Sequence, residues 1–314
     1  MKLFLLSKQN IPLAIQEVLS LSQSKDFELI DNLLILKPKI EVDFQNRLGF
    51  THSIFEFLFK CKNDDLENLI DSFNFQKYYQ ENFCVRVKGG SDAIEKEIAS
   101  KIFSKLQNPK VKLRNSKTEF HFFVKGNLVI CVKKLFDVDK SYINRKAHLR
   151  PSLHPTSMHP RLARACINLT GLTNGLLLDP FCGSGGTLIE AGLMRFKIIG
   201  HDIDSNQINR AKKNLEHYSI KNFKLSVNDA TKINMKVNAI VTDFPYGRGS
   251  KGDNLEELYL KFLVNVKNVA SKVVVVFPNF IDHKKIISKT KWTIEHEFRD
   301  YVHKSLSRII TVLA

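Results

Sequence analysis

Apolar positions follow two rhythms along this chain, and the change between them divides it near residue 160. Before that point, short alternating runs mix with isolated helical patterns. Lys2 to Leu6 predicts a strand, Ile11 to Leu21 a helix with Asn10 as its cap, Phe27 to Leu36 a hairpin turning at Asp31-Asn32, and His52 to Phe59 a helix. A second small unit predicts strand Phe83 to Val87, helix Asp92 to Leu106, and strands near Val111 to Leu113, Glu119 to Val124 and Leu128 to Val132. In that helix Ile94, Ile98, Ile102, Phe103 and Leu106 share one face, which reads as core, and Asp92 with Glu95 resembles a capping box. From Tyr142 to Pro160 periodicity is lost and Pro151, Pro155 and Pro160 accumulate, as in an interdomain linker.

Past residue 160, strands and helices alternate. Helix Arg161 to Leu169, strand Gly175 to Leu178, helix Thr187 to Met194, strand Lys197 to Asp202 and helix Asn206 to His217 come first. Strands Phe223 to Ser226 and Val237 to Thr242, helix Leu255 to Ala270 and strand Lys272 to Phe277 follow. This order predicts a parallel sheet covered by helices on both faces. Trp292 to Tyr301 and Arg308 to Leu313 add a terminal antiparallel hairpin.

A length of 314 residues suits about two domains. The five cysteines are scattered, without C-x-x-C pairs, which predicts a reducing, intracellular setting. His148, His154 and His159 fit no common zinc spacing, so no metal is expected. No segment reaches the ~20 apolar residues of a membrane helix, and the short run Met1 to Leu6 reads as a strand rather than a leader, so a soluble, cytoplasmic protein is expected. Charge changes the picture more: the formal net charge is +16, and residues 101 to 150 hold 13 basic and 3 acidic residues against 12 and 15 in residues 1 to 100. Basic charge concentrated in this way points to a polyanion, with nucleic acid as the expected partner.

The chemistry is concentrated at two strand ends. Leu176-Leu177-Leu178-Asp179 runs into Pro180-Phe181-Cys182-Gly183-Ser184-Gly185-Gly186-Thr187, so Asp179 is delivered to the carboxyl edge of the sheet and followed by a glycine turn. The turn lacks the G-K-[ST] of a phosphate loop, and an aspartate there would repel a pyrophosphate while suiting the ammonium of a methionine moiety. Asp202 ends the next strand, 23 residues after Asp179, where an acidic side chain meets ribose hydroxyls, and Asp204 reads as a helix cap. Asn228-Asp229-Ala230 follows the third strand, where Asp229 suits either a turn or an adenine amino group.

The second strand end is Asp243-Phe244-Pro245-Tyr246, 64 residues after Asp179. An exocyclic amine on a base is a poor nucleophile because its lone pair is delocalised into the ring. Acceptors on its hydrogens, the Asp243 carboxylate and the Phe244 carbonyl, would localise that lone pair. Pro245 stiffens the turn, and Tyr246 offers an exposed stacking platform for an unstacked base.

With these residues in place, the chain resembles the archaeal tRNA guanosine-10 N2-methyltransferases, which join a THUMP domain to a class I methyltransferase domain. D-P-F-C-G-S-G-G (179 to 186), H-P-T-S-M-H-P-R-L-A-R-A (154 to 165), T-D-F-P-Y-G (242 to 247) and H-K-S-L-S-R (303 to 308) carry the likeness. It implies an α/β chain: a ferredoxin-like α+β unit (1–60), a THUMP RNA-binding domain (61–141), a linker (142–160) and a class I, Rossmann-like methyltransferase domain (161–314) ending in the antiparallel hairpin. It implies S-adenosyl-L-methionine as cofactor, bound by Asp179, Phe181, Gly183 and Gly185, with Asp202 and Ile203 at its ribose and Asp229 and Ala230 at its adenine. Asp243 to Tyr246 would face the target base. The THUMP part would grip tRNA, with Arg86, Lys88, Lys133 and Lys134 as contacts, and a small activating protein subunit is a further candidate partner. The family usually has two prolines after the aspartate, whereas here the first is Phe244. The alternatives are an enzyme of tRNA position 6, whose loop usually begins with Asn, a DNA adenine N6-methyltransferase, and a tRNA-binding adaptor without turnover.

Overall fold

The computed structural model describes residues 1–153, 157–247 and 255–314. The chain forms two compact units, one built from Met1–Leu6, Ser24–Pro38 and Thr51–Asp137, the other from Ser7–Gln23, Lys39–Phe50 and Val138–Ala314. Each is interrupted by segments of the other.

The first unit is organised by a seven-stranded sheet. Its strands are β1 (Lys2–Leu6), β2 (Phe27–Ile30), β3 (Leu33–Leu36), β4 (Thr51–Lys62), β5 (Phe83–Lys88), β6 (Thr118–Lys125) and β7 (Leu128–Asp137), in the order β2-β3-β1-β4-β7-β6-β5. Alternation along β6 sends Phe120 and Phe122 into one core with Val85, Ile98 and Ile102, and Phe123 into another with Leu3, Phe55 and Ile130. Residues 51–62 are a strand, not the helix expected over His52 to Phe59, and the boundary expected between residues 60 and 61 falls inside it. Val111 makes an isolated bridge to Phe83 rather than part of a strand. The helix Asp92–Ser104 is capped by Ser91, whose hydroxyl accepts from Ile94 N, while the Glu95 carboxylate accepts from Val87 N instead of closing a capping box. Ile98, Ile102 and Leu106 are buried, but Ile94 and Phe103 stay exposed.

The second unit contains a seven-stranded mixed sheet. Its strands are β8 (Leu176–Asp179), β9 (Lys197–Asp202), β10 (Phe223–Val227), β11 (Ala239–Asp243), β12 (Val273–Pro278), β13 (Ile294–His303) and β14 (Leu306–Leu313). They lie in the order β10-β9-β8-β11-β12-β14-β13, parallel up to β12 and antiparallel in the last two pairings. Every residue of β12 is buried, as expected for a strand covered on both faces. Because the chain winds outward from β8 to β10 and then resumes at β11, the strand order reverses between β8 and β11, where open α/β sheets form their ligand crevice.

The N-terminal helix Ile11–Ser22 belongs to this unit. Its fully buried Glu17 accepts from Gly49 N (2.7 Å), Phe50 N (2.8 Å) and Asn168 Nδ2 (2.9 Å), and Asn168 Oδ1 in turn accepts from the Arg47 guanidinium. The stretch expected as a linker holds short helical turns, Ser141–Arg145 and Ala147–Leu149, and two buried arginines, Arg145 and Arg150. His159 caps the helix Pro160–Leu169 by accepting from Arg161 N, and His154 lies outside the described residues. Among the described residues no cluster of His, Cys, Asp or Glu could hold a metal ion, and no helix is long and apolar enough to cross a membrane.

Candidate active site

Asp179 ends β8 and Asp243 ends β11, so both carboxylates reach the same sheet edge from adjacent strands. Asp179 is 2% exposed, and its Oδ1 accepts from Thr242 Oγ1 of β11 at 2.7 Å and from Phe181 N at 3.3 Å. Burial pushes its carboxyl up to about 7, against the pull of these hydrogen bonds. The glycine turn follows. Gly183 has φ +50° and Gly185 φ +85°, conformations that glycine adopts without strain. A Cβ at Gly183 would meet nothing within 4 Å, whereas one at Gly185 would press on Ala211 at 3.3 Å; the first position leaves open space above the backbone and the second packs against a helix.

Asp202 sits at the end of β9 with one oxygen accepting from Gly183 N (2.9 Å) and the other from Asp204 N (3.0 Å), which ties the glycine turn to the next strand. Burial raises its carboxyl above the ordinary range. Ile203 beside it is 78% exposed, an apolar side chain left on the surface at the crevice edge. Asp204 caps the helix Ser205–His217. Asp229 caps the turn Ala230–Lys232 and accepts from Thr231 N and Oγ1, so the geometry satisfies its turn role, while Ala230 is buried.

Around Asp243 the structure assembles a small polar network. Tyr246 Oη donates to Asp243 Oδ1 at 2.6 Å, Arg308 Nε donates to Tyr246 Oη at 3.1 Å, and Arg308 Nε lies 3.5 Å from Asp243 Oδ2. Burial raises the Asp243 carboxyl despite the Arg308 guanidinium, and burial together with Asp243 keeps the Tyr246 phenol protonated. Tyr246 was expected as an exposed platform; it is only partly exposed, with the Arg308 guanidinium carbon 6.0 Å from its ring centroid.

Phe244 is buried and stacks on Tyr259 (4.1 Å between centroids, 13° between planes), with Phe181, Phe262 and Phe277 around it. Its N–H donates to Val276 O at 3.1 Å, a bond that proline could not make, so the departure from two prolines is absorbed as core packing plus one ladder bond. Continuing the same parallel register, the next donor toward the Phe244 carbonyl would be residue 278. That residue is Pro278, which has no N–H. The neighbouring Pro245 carbonyl is taken by Tyr259 Oη. Among the described residues the Phe244 carbonyl thus takes no ladder bond from β12, and the Tyr259 hydroxyl is spent on Pro245.

The basic residues singled out on the first unit are partly paired within it. Arg86 binds Glu95 (3.3 Å) and the Leu113 carbonyl, Lys134 binds Asp137 (2.8 Å) and Glu119 (3.6 Å), Lys88 Nζ lies 5.7 Å from the Phe123 ring, and Lys133 is half-buried on β7. Lys110, Lys112, Arg114 and Lys117, by contrast, are all exposed on the connection before β6.

Arg308, Tyr259, Thr242 and Pro278 were not singled out from the sequence. Thr242 and Arg308 each had a signal, as the first residue of the T-D-F-P-Y-G run and the last residue of the H-K-S-L-S-R run.

A family model described as an RMKL-like methyltransferase domain matches residues 147–308. A DNA methylase model matches residues 12–213, which include the glycine turn and stop short of Asp243. The chain is 34% identical over 283 residues to the tRNA (guanine(10)-N2)-dimethyltransferase of Methanothermobacter thermautotrophicus, covering 86% of this chain and 84% of that one. It is 32% identical over 298 residues to the enzyme of the same name from Pyrococcus abyssi, covering 90% and 89%. Among solved structures, TrmN from Thermus thermophilus matches with a TM-score of 0.51 and 17% identity over 99% of this chain and 98% of that one, a likeness of fold. Identity at about a third of positions, sustained along most of both chains, exceeds what shared motifs alone would give, and the chain belongs to the tRNA (guanine(10)-N2)-dimethyltransferase family.

Proposed function

We propose that this protein methylates the exocyclic N2 of guanosine at position 10 of tRNA, once or twice, with S-adenosyl-L-methionine as the methyl donor. The observation that carries the reading is the pair of adjacent strand ends: a buried Asp179 beside a glycine turn, and on the neighbouring strand Asp243 followed by a turn carbonyl that takes no backbone donor among the described residues. The cofactor supplies an electrophilic methyl group when bound. Asp179, Gly183, Gly185 and Asp202 are the residues that would hold it: the open face over Gly183 admits a ligand against the backbone, Asp179 suits an ammonium, and Asp202 suits ribose hydroxyls. Asp243 Oδ2 and the Phe244 carbonyl accept the two N2 hydrogens and localise the nitrogen lone pair, and Asp243, raised by burial, takes the proton released afterwards. Arg308 and Tyr246 fix the orientation of that carboxylate.

The test is incubation with labelled S-adenosylmethionine and an unmodified tRNA transcript, followed by digestion and identification of the nucleoside and its position. N2-methylated guanosine at position 10 is expected. Methyl on guanosine 6 would move the assignment to that enzyme class. Label absent with this chain alone but restored by a small added subunit would identify the activating partner.

Asp179 makes cofactor binding depend on pH. Its ordinary value is near 3.8 and its folded value about 7, so between these the folded chain holds a proton that the unfolded chain has lost. The contribution of this group to stability therefore falls as pH rises across that window. A cationic ammonium beside it requires the carboxylate. Binding at pH 6 is expected to release a proton and at pH 8 to release none, as calorimetry in buffers of different ionisation enthalpy would show.

The first unit supplies the basic surface for tRNA in this reading, and the exposed Lys110, Lys112, Arg114 and Lys117 extend the set expected at Arg86, Lys88, Lys133 and Lys134. Replacing Lys112 and Arg114 by Glu is expected to weaken tRNA binding and to flatten its salt dependence, by about 0.7–0.9 in log–log slope for each phosphate that is no longer neutralised. Cofactor affinity measured on the same variant should not move.

A further inference from the structure

We propose that the tip of the β13–β14 hairpin, with Tyr301 and the neighbouring Phe280, is a stacking surface for unpaired nucleotides of the RNA that flank the methylated one. The inference rests on the tRNA reading above and adds a contact surface that this reading leaves out.

Strand register places this tip. Asp243 lies level with Val276 of β12, which pairs with Ile310 of β14. β12 ends at Pro278, opposite Arg308, whereas β14 begins at Leu306 and β13 runs on to His303. The hairpin therefore stands beyond the carboxyl edge of the sheet, the edge at which β8 and β11 deliver Asp179 and Asp243. Tyr301 pairs with Ser307, so from Asp243 it is three strands across and three residues farther along. At about 4.8 Å per strand and 3.4 Å per residue, the two backbones are roughly 18 Å apart.

Tyr301 is 68% exposed and Phe280 58%. Among the described residues neither ring meets another ring, and the Tyr301 hydroxyl has no hydrogen-bond partner. Glu297, Arg299 and Tyr301 share one face of β13, the face on which Glu297 binds His283 and Lys284 of the helix His283–Ile287. Phe280 leads into that helix. Its neighbour Asn279 is tied to β14 directly beside Tyr301, with Asn279 N donating to Ser307 O (3.0 Å) and Ser307 N to Asn279 Oδ1 (2.7 Å). Lys285, Arg299 and Lys304 are exposed along the same stretch and, among the described residues, form no ion pair.

A single exposed aromatic side chain is ordinary on a protein surface. Two of them, interspersed with three unpaired cations at the edge that carries Asp243, match what unpaired nucleic acid requires: a flat apolar face for a base and positive charge for its phosphate. Taking the target base out of its stack also strips its neighbours of a stacking partner. Aromatic faces a few nucleotides from the site replace that contact. A protein partner fits this surface less well, because the centre of a protein interface is depleted of charge, whereas here cations separate the rings.

The experiment measures binding of an unmodified tRNA transcript, over a range of salt, to the full chain and to Phe280→Ala, Tyr301→Ala and Tyr301→Phe. Each alanine is expected to weaken binding about 5- to 150-fold without changing the salt slope, because stacking neutralises no phosphate. Tyr301→Phe keeps the ring and should bind as the unaltered chain does. Affinity for S-adenosylhomocysteine should be the same in all four proteins, which shows that the variants are folded. Photoreactive benzoylphenylalanine in place of Tyr301 should crosslink the RNA within about five nucleotides of the methylated one, from roughly 18 Å of reach at ~3.4 Å per stacked nucleotide. Unchanged tRNA affinity in both alanine variants would overturn the proposal, as would a crosslink elsewhere on the RNA or to a second copy of the chain. Failure of the unaltered chain to bind tRNA would remove the function reading, and this surface with it. Methylation at a position other than 10 would overturn that assignment alone, since the crosslink is counted from whichever nucleotide carries the methyl group.

Discussion

Asp243→Ala is expected to lower the single-turnover rate of methyl transfer by roughly 100- to 1000-fold while cofactor and tRNA affinities change little. In the proposed function the carboxylate acts where the nitrogen lone pair must be localised, which is a demand of the transition state rather than of binding. Three groups in the structure converge on this result. Tyr246 and Arg308 hold the carboxylate by its two oxygens, and the Phe244 carbonyl lies on the same turn. Alanine removes the acceptor and leaves the nearly buried Arg308 without one of its charge partners, so a loss of stability accompanies the loss of rate. Asparagine separates the two effects. It retains one acceptor oxygen and the approximate shape, so Asp243→Asn should fold normally and lose less activity than alanine. Equal rates for Asp243→Ala and the unaltered protein would remove Asp243 from the chemistry.

Glu190→Ala is expected to destabilise the second unit by about 3–5 kcal/mol, read as a fall in the urea midpoint. Glu190 is fully buried and binds two arginines, Arg145 and Arg164, through both oxygens. Removing it strands two guanidinium groups, one of which also stacks on Tyr142 at 5.2 Å. That loss is a large part of the ~5–15 kcal/mol that holds a typical domain folded. The cause is tested by replacing all three residues with apolar ones of similar volume: recovery of most of the stability would show that stranded charge, not lost packing, accounts for the damage.

The centre of the second sheet could be read from the chain because its strands are short, mostly apolar runs; Leu176 to Asp179 and Ala239 to Asp243 are such runs, and each ends on an aspartate. Residues 51–62 deceived the same reasoning for a definable reason. Register shifts between Ile54 and Phe55 and between Phe57 and Phe59 reset the two-residue alternation, leaving Ile54, Phe55, Leu58 and Phe59 at the spacing of a helical face. The glycine turn and the aspartates are local signals. Arg308 lies 62 residues from Tyr246 and Glu190 lies 45 from Arg145, and nothing in a local window announces a pairing across such distances.

The interleaving of the two units sets a timetable for synthesis. The helix Ile11–Ser22 leaves the ribosome early, with Glu17 directed at Asn168, which at usual elongation rates is made on the order of ten seconds later. β14 is made after β8 to β13, yet it lies inside its sheet between β12 and β13, and it carries Arg308. A nascent chain can thus complete its glycine turn and β11 while the arginine beside Asp243 is still missing. In the proposed function the polar network at Asp243 is complete only once β14 has joined its sheet, long after the strand that carries the carboxylate was made.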